Sequence, residues 1–265
     1  MRTVILHYHI FKNAGSTVED ILANSFFERF GRYDGPNFDD IVTQDEIVAY
    51  LEREPGIQAF SSHQIRYPMP EKAGFLFFDW CVLRDPIERF RSTYRYFRKK
   101  PVAGEPASDL ANRFGPGEWM ARMVRDYPYR ISDVQVNLLA HGNNDDPPGE
   151  ADLGRAVERM RSIAMLGVVD CFNQSLIAGQ YFLRPVFPAL AIGQQPANVT
   201  GSKGVSLAES CDPEVYADLL RLNALDLRLL ELAREEVKRR FALAPDGAAR
   251  LAELQPDRPP ARPIE

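Results

Sequence analysis

The segment HYHIFKNAGSTVEDIL, residues 7–22, places a lysine, an amide, two small residues and two hydroxyls between an apolar stretch and a stretch of helical spacing. A loop in this position can turn its backbone N–H groups toward one anion, and the N-terminus of the following helix adds partial positive charge. A lysine ammonium and side-chain hydroxyls are further donors for the same anion. The segment therefore predicts an anion-binding loop, formed by Lys12, Asn13, Ala14, Gly15, Ser16 and Thr17.

This loop differs from the Walker A phosphate-binding loop. That motif reads G-x-x-x-x-G-K-[ST], whereas Lys12 here precedes Gly15. A strand–turn–helix unit with a helix-capping serine and a surface lysine would explain the same residues without a ligand. Taken alone, the loop leaves both interpretations open.

A second cluster lies in VLRDPIERFRSTYRYFRKK, residues 82–100, which carries seven basic residues against two acidic ones. Arg84 stands where an apolar strand gives way to a helix, and Ser92 follows eight residues later. Because the ends of parallel strands line the ligand crevice, these two residues can offer a guanidinium fork and a hydroxyl to a phosphate. The alternative is a solvated basic helix face. That alternative is favoured for Arg91, Arg95, Arg98, Lys99 and Lys100.

His63 is one of four histidines in the chain. It lies near the end of a predicted strand, where a base for a hydroxyl substrate could stand. A lone histidine is more often structural, so the sequence by itself leaves its role open. His9 is expected to support the loop from inside the sheet, and His7 is expected to lie in the core.

The elements that must position these groups alternate along the chain. The predicted strands are 3–10, 57–65, 79–86 and 164–170. The predicted helices begin at Ser16, at 44, at Asp85-Pro86 and at 171, and a long one runs from Asp212-Pro213 to about Phe241. This alternation predicts an α/β fold with a central, mainly parallel sheet flanked by helices. Residues 1–243 are expected to form a single domain, and 244–265 a flexible C-terminal tail.

Composition narrows the class of protein. The chain has 265 residues, 45% of hydrophobic type, and a net charge of −5, so no global basic field for nucleic acid is expected. No stretch approaches the ~20 apolar residues of a membrane span. Cys81, Cys171 and Cys211 are odd in number and widely spaced, which favours reduced thiols in a cytoplasmic protein over a disulfide framework or a zinc site.

The two motifs together resemble the sulfotransferases that use 3′-phosphoadenosine 5′-phosphosulfate. HIFKNAGST is similar to the loop that holds the 5′-phosphosulfate in that family, and LRDPIERFRSTY is similar to its 3′-phosphate motif. The carbohydrate branch, which includes heparan sulfate 2-O-sulfotransferases and their bacterial relatives, is the most similar. Segments 135–142 and 222–241 also look like that branch, and the likeness spans roughly residues 4–241.

The resemblance implies a P-loop-like sulfotransferase fold and sulfuryl transfer to an acceptor hydroxyl on a carbohydrate, with adenosine 3′,5′-bisphosphate as product and no metal. It implies that His63 is the base, that Lys12 assists catalysis, and that Arg84 and Ser92 select the 3′-phosphate. Phe11 replaces the proline that usually precedes the loop lysine, Asn13 replaces a threonine, and Ser62 replaces the glycine before the histidine. A further polar loop is expected to close over the nucleotide or to be ordinary surface; its candidate residues are Asn198, Thr200, Ser202 and Lys203.

Two other functions remain open at this stage. A P-loop-type kinase or nucleotidase would depend on ATP and magnesium, but the Walker lysine position and a clear pair of metal-binding carboxylates are missing. A non-catalytic module that binds a nucleotide or a sulfated glycan would bind without turnover and would tolerate the loss of His63.

Overall fold

The protein forms an α/β structure in a computed structural model that describes residues 1–143, 146–193, 209 and 211–254. Within these residues five strands make one sheet in the order β2-β3-β1-β4-β5, and every pairing is parallel. The strands are β1 (Arg2–Tyr8), β2 (Phe30–Arg32), β3 (Ala59–Ser62), β4 (Phe75–Leu83) and β5 (Met165–Val168). The predicted class, a mainly parallel sheet flanked by helices, is confirmed.

The helices occupy both faces of the sheet and one flank. They are α1 (Gly15–Phe26), α2 (Gln44–Arg53), α3 (Pro86–Lys99), α4 (Pro106–Arg113), α5 (Pro116–Asp126), α6 (Val134–Ala140), α7 (Glu150–Ser162), α8 (Phe172–Leu183), α9 (Pro213–Leu222), α10 (Ala224–Phe241) and α11 (Gly247–Leu254). None of the helices in the described part of the chain is long and apolar enough to cross a membrane.

Strand β1 divides the core between the two faces of the sheet. Val4 and Leu6 pack in a cluster with residues of α2, α6, α7 and α10, whereas Ile5 packs with residues of α1 and α8. Because successive side chains of a strand point to opposite faces, an apolar β1 must be covered on both sides. A third cluster joins α3, α4, α5 and α9 beside the sheet.

The carboxyl ends of the three central strands meet at one edge of the sheet. His7 of β1 is in register with Ser61 of β3 and Trp80 of β4. The segments that follow β1, β3 and β4 therefore emerge side by side, which brings the predicted loop, His63 and Arg84 to the same edge. Helix α3 starts there as predicted, because the Asp85 carboxylate accepts the N–H groups of Ile87 and Glu88.

Four local predictions need correction. Strand β2 was not anticipated, and the long helix predicted over 213–241 is two helices that break at Asn223. The sequence predicts a loose tail over 244–265, but Gly247–Leu254 form α11, which packs on α8. The third predicted strand starts earlier, at Phe75, and ends before Arg84. The predicted loop residues Asn198, Thr200, Ser202 and Lys203 lie outside the described residues.

Candidate active site

The predicted anion-binding loop has an unusual backbone. Lys12 and Ala14 both adopt the left-handed region, with φ of 67° and 61°, a conformation that costs a non-glycine residue about 1–2 kcal/mol. Helix α1 begins directly after it and has no side-chain cap. Neither the N–H group of Gly15 nor that of Ser16 donates a hydrogen bond to another of the described residues. Left-handed turns that expose such N–H groups form concave anion sites, so the loop geometry agrees with the prediction.

Arg84 lies under this loop and ties it to β4. Its side chain is only 8% exposed, and Nη1 donates to the carbonyl oxygen of Lys12 at 2.8 Å. Burial lowers the pKa of the Arg84 guanidinium, which nevertheless stays charged at neutral pH. The 2.8 Å bond joins the two sequence motifs into one surface. It also supports the strained turn at Lys12.

Asn13 has a different role from the one expected. Its side chain is buried, and Nδ2 donates to the carbonyl oxygen of Val82 at 2.9 Å and to Oε1 of Gln135 at 2.8 Å. Its backbone N–H donates to Ile10 at 3.1 Å. All of these donors point into the protein, so Asn13 anchors the loop and its side chain does not contribute to anion binding.

Gln135 is the centre of the network beneath the loop. Its side chain accepts the N–H of Arg84 at 2.9 Å and donates to the carbonyl oxygen of Arg84 at 2.8 Å. Its amide also donates to Asp226 at 3.1 Å, and Asp226 is fully buried. Asp133 in turn accepts the N–H groups of Leu225 and Asp226, each at 2.9 Å. The network connects the loop to α6 and α10.

Burial shifts the pKa of both carboxyl groups in this network. It raises the pKa of Asp226, against hydrogen bonds from Val136 and Gln135 that act in the opposite direction. For Asp133, burial and the neighbouring charge of Asp226 outweigh the backbone hydrogen bonds and raise the pKa to about 7. Asp133, in the network beneath the loop, therefore titrates near neutral pH.

One face of α3 carries residues at helical spacing beside the loop. Ser92 is half-buried there, and Arg89 lies three residues before it. Arg89 is only 7% exposed, burial lowers its pKa, and its buried Nε has no hydrogen-bond partner among the described residues. The Nζ of Lys12 stands 4.6 Å from the ring centroid of Tyr96, one turn further along the same face. Arg89 was missed from the sequence because it looked like one more basic residue of a charged helix.

The basic helix is not solvated throughout. Arg91 is 7% exposed and lies 3.5 Å from Glu88, so the solvated-face interpretation is wrong for this residue. Arg98, Lys99 and Lys100 at the end of α3 are exposed, as expected. The positive charges of Arg84, Lys100 and Lys99 add to burial in lowering the pKa of Lys12. Positive potential is therefore concentrated around the loop, although the whole chain is acidic.

His63 forms a histidine–carboxylate pair with Asp34. The two oxygens of Asp34 accept from the backbone N–H of His63 at 2.8 Å and from Nδ1 at 3.1 Å. Burial acts to raise the pKa of Asp34, but hydrogen bonds from His63 and Ser62 outweigh it and bring the pKa to about 2. Asp34 is therefore ionised, and the His63 proton sits on Nδ1. This leaves Nε2 with a lone pair that can accept a proton from a substrate.

His9 and His7 are buried as predicted, and both rings lie in a hydrogen-bonded chain. His9 Nδ1 donates to Glu19 at 3.1 Å, His7 Nδ1 donates to Ser61 at 2.9 Å, and Ser61 donates to Glu19 at 2.8 Å. Ligand atoms of His7, His9 and Glu19 lie within 4.8 Å of one another, a spacing that could hold a metal. The hydrogen bonds just described already engage Nδ1 of both histidines and the Glu19 carboxylate, and Arg32 pairs with Glu19 at 3.1 Å. These three residues therefore do not require an ion.

Aromatic rings form the surface between the loop and His63. Phe11, which precedes the loop lysine, lies 5.1 Å from Tyr96 and 5.8 Å from Phe38 between ring centroids. The His63 ring is 6.5 Å from Phe11. Phe38 is 48% exposed, so an apolar surface borders the candidate base.

Comparison with known proteins gives a relative but no function. No family model matches the chain. An uncharacterized protein of Archaeoglobus fulgidus is 28% identical over an alignment of 258 positions that covers 91% of this chain and 99% of that protein.

Proposed function

We propose that the protein is a sulfotransferase that moves a sulfuryl group from 3′-phosphoadenosine 5′-phosphosulfate to an acceptor hydroxyl. The observation that carries this proposal is the bond from Arg84 to the carbonyl oxygen of Lys12 at 2.8 Å. It places a buried guanidinium directly beneath a loop whose first helical N–H groups make no hydrogen bond to the described residues. The sulfuryl donor has an anionic group at each of two ends, so its binding requires two such anion-binding groups side by side. The sequence resemblance assigns the loop to the 5′ end and Arg84 with Ser92 to the 3′ end.

The residues divide the chemistry among them. The donor supplies an activated sulfuryl group, whose sulfur forms a bond to the acceptor oxygen as the bond to the bridging phosphate oxygen breaks. The N–H groups of Gly15 and Ser16, with the hydroxyls of Ser16 and Thr17, hold the phosphosulfate end. Lys12 offsets the negative charge that develops on the bridging oxygen. His63 takes the acceptor proton on Nε2, and Asp34 stabilises the resulting imidazolium.

The wider proposal follows from the same residues. We assign residues 1–243 to a single domain with a P-loop-like sulfotransferase fold in a cytoplasmic protein. The acceptor is a carbohydrate hydroxyl, presented over the aromatic surface of Phe11 and Phe38. Nucleic acid is not a partner on this proposal, because the whole chain carries a net charge of −5.

The buried Asn13 and the paired Asp34 favour this function over the two alternatives. A kinase would need a carboxylate free to bind magnesium near the loop, whereas Asp34 is engaged by His63 and Ser62. A non-catalytic binding module would have no use for a base whose tautomer is fixed by an ionised carboxylate.

Calorimetry with nucleotides tests the proposal. Adenosine 3′,5′-bisphosphate should bind the parent protein at least tenfold more tightly than AMP, since Arg84 and Ser92 contact the 3′-phosphate. A charge-assisted hydrogen bond contributes about 1.5–3 kcal/mol, so Arg84→Ala should weaken that nucleotide by roughly 10- to 100-fold. Arg98→Ala, at the exposed end of α3, is the matched control and should change neither affinity. Equal affinity of the parent for the two nucleotides would sink the assignment.

A further inference from the structure

His9 touches both halves of the candidate site. Its ring is stacked on His63, with ring centroids 3.7 Å apart and an angle of 27° between the planes. On its other side the ring of His7 stands 5.1 Å away. His7, His9 and His63 thus form a column of three imidazoles, here called the imidazole column, which runs from the core to the surface.

The same ring also lies against the start of α1. A Cβ atom on Gly15 would lie 1.9 Å from Cδ2 and 2.0 Å from Nε2 of His9, far inside van der Waals contact. Glycine is needed at this position because the imidazole occupies the space that a side chain would take. Glu19, one turn into α1, accepts the Nδ1–H of His9. His9 is therefore held by the helix whose first turn lines the anion-binding loop.

The groups around His9 act on its pKa in both directions. Burial lowers the pKa of His9, and the nearby His63 lowers it further, while Glu19 and Asp34 act in the opposite direction. Arg32 faces the column from β2 through its ion pair with Glu19. Burial is the largest of these effects, so the pKa of His9 is lowered and its neutral form is favoured in the stack.

We propose that His9 is a positioning residue that fixes the distance and orientation of the His63 base relative to the anion-binding loop. The inference rests on the proposed function, because it assumes that His63 acts on a substrate held by that loop. In-line transfer depends on alignment, and a displacement of about 1 Å at the reacting atoms can cost ~10²-fold in rate. His9 does not touch the acceptor or the donor in this role; it transmits the position of α1 to His63.

Three variants test this role: His9→Ala removes the ring, His9→Phe keeps a stacked ring without the Glu19 bond, and His7→Phe is a matched control. His7 belongs to the imidazole column but contacts neither His63 at stacking distance nor Gly15. Measured quantities are the turnover of 3′-phosphoadenosine 5′-phosphosulfate with water as probe acceptor, the Kd of adenosine 3′,5′-bisphosphate, and the Tm. His9→Ala should lose roughly 30- to 100-fold in turnover with Kd changed less than threefold.

The turnover of His9→Phe shows whether His9 positions His63 or only supports the fold. His9→Phe should recover much of the lost turnover, because a stacked ring still limits the motion of His63, and His7→Phe should stay near the parent. Parent-like turnover of His9→Ala would overturn the inference. So would a parallel loss of turnover, nucleotide affinity and Tm in His9→Ala and His9→Phe alike. A parent protein that does not distinguish adenosine 3′,5′-bisphosphate from AMP would instead overturn the proposed function itself.

Discussion

The donor half and the acceptor half of the candidate site are built differently. Around the anion-binding loop, Asn13 and Arg84 are 1% and 8% exposed, and both are hydrogen-bonded to buried partners. Around the candidate base, the side chains of His63 and Asp34 are 40% and 42% exposed, and Phe38 is 48% exposed. One half is a fixed, buried framework, and the other is an open surface.

The strained backbone of the candidate site lies in its donor half. Two left-handed residues persist in the loop because Arg84 binds the carbonyl oxygen of Lys12 and Gln135 binds the side chain of Asn13, so the fold itself fixes the loop geometry. Preorganised donors act without reorganisation during the reaction. The acceptor half has few such buried hydrogen bonds, which suits a site that its bound substrate completes.

Removing the base should give the largest effect and should confine it to the acceptor half. His63→Ala is expected to reduce turnover of 3′-phosphoadenosine 5′-phosphosulfate by ~10²–10⁴-fold, the usual contribution of a general base. The affinity for adenosine 3′,5′-bisphosphate should remain that of the parent, because no contact to the loop is lost. Stopped-assay product analysis and calorimetry on the same preparations measure the two quantities.

The partner carboxylate provides the control for that experiment. Asp34→Asn replaces one of the two accepting oxygens with a donor and no longer stabilises an imidazolium, but it leaves the His63 ring in place, so its loss should be smaller than that of His63→Ala. If His63→Ala keeps near-parent turnover, the comparison between the two halves is wrong, and the base is another group. If its nucleotide affinity and Tm fall together with turnover, His63 is a structural histidine.

Lys12 should give the next largest effect, on the donor half. Lys12→Ala is expected to lower turnover by roughly 10²-fold and nucleotide affinity by less, because its charge matters most as the bridging oxygen becomes negative. Since Arg84 holds the carbonyl of residue 12 and not its side chain, the loop backbone should survive the change. Lys12→Arg keeps the charge and serves as the control. A loss seen only in affinity would make Lys12 a simple anion clamp.

The sequence predicted the site residues that directly follow strands. It did not predict their hydrogen-bond partners that are distant in sequence. Lys12, His63 and Arg84 follow predicted strands, so their meeting at one sheet edge was foreseeable. Asp34 reaches His63 across 29 residues, and Gln135 reaches Arg84 across 51. Asp34 follows a strand of three residues, too short to show a periodic pattern. Nothing in the composition of either neighbourhood signals these partners.

The misread role of Asn13 has the same origin. In the sequence it sits between Lys12 and Ala14 in an anion-binding loop, so its amide was assigned to the ligand. Burial decides otherwise, because its Nδ2 meets the carbonyl of Val82 and the side chain of Gln135, 69 and 122 residues away. The break at Asn223 was hidden for a similar reason: its Nδ2 donates to Leu219 and ends α9, while the apolar spacing continues into α10.

The smallest predicted effect tests the foundation of the donor half through pH. Burial raises the pKa of Asp133 to about 7, whereas an unfolded aspartate titrates near ~3.9. Between these values the native protein binds more protons than the unfolded chain, so this group makes the free energy of unfolding fall as pH rises, with the loss complete above about pH 7.

Asp133→Asn removes that dependence. Its Oδ1 can still accept from Leu225 and Asp226, and asparagine tolerates the left-handed conformation of this position, where φ is 43°. The variant should match the parent near pH 4.5 and exceed it at pH 8 by on the order of 1–3 kcal/mol, as measured by urea denaturation. Buried Asp226 and Asp79, whose pKa values burial also raises, should preserve part of the slope. If Asp133→Asn is instead destabilised equally at both pH values, the Asp133 carboxylate holds α6 to α10 in its charged form. The stability of the network beneath the loop would then not depend on the titration of Asp133.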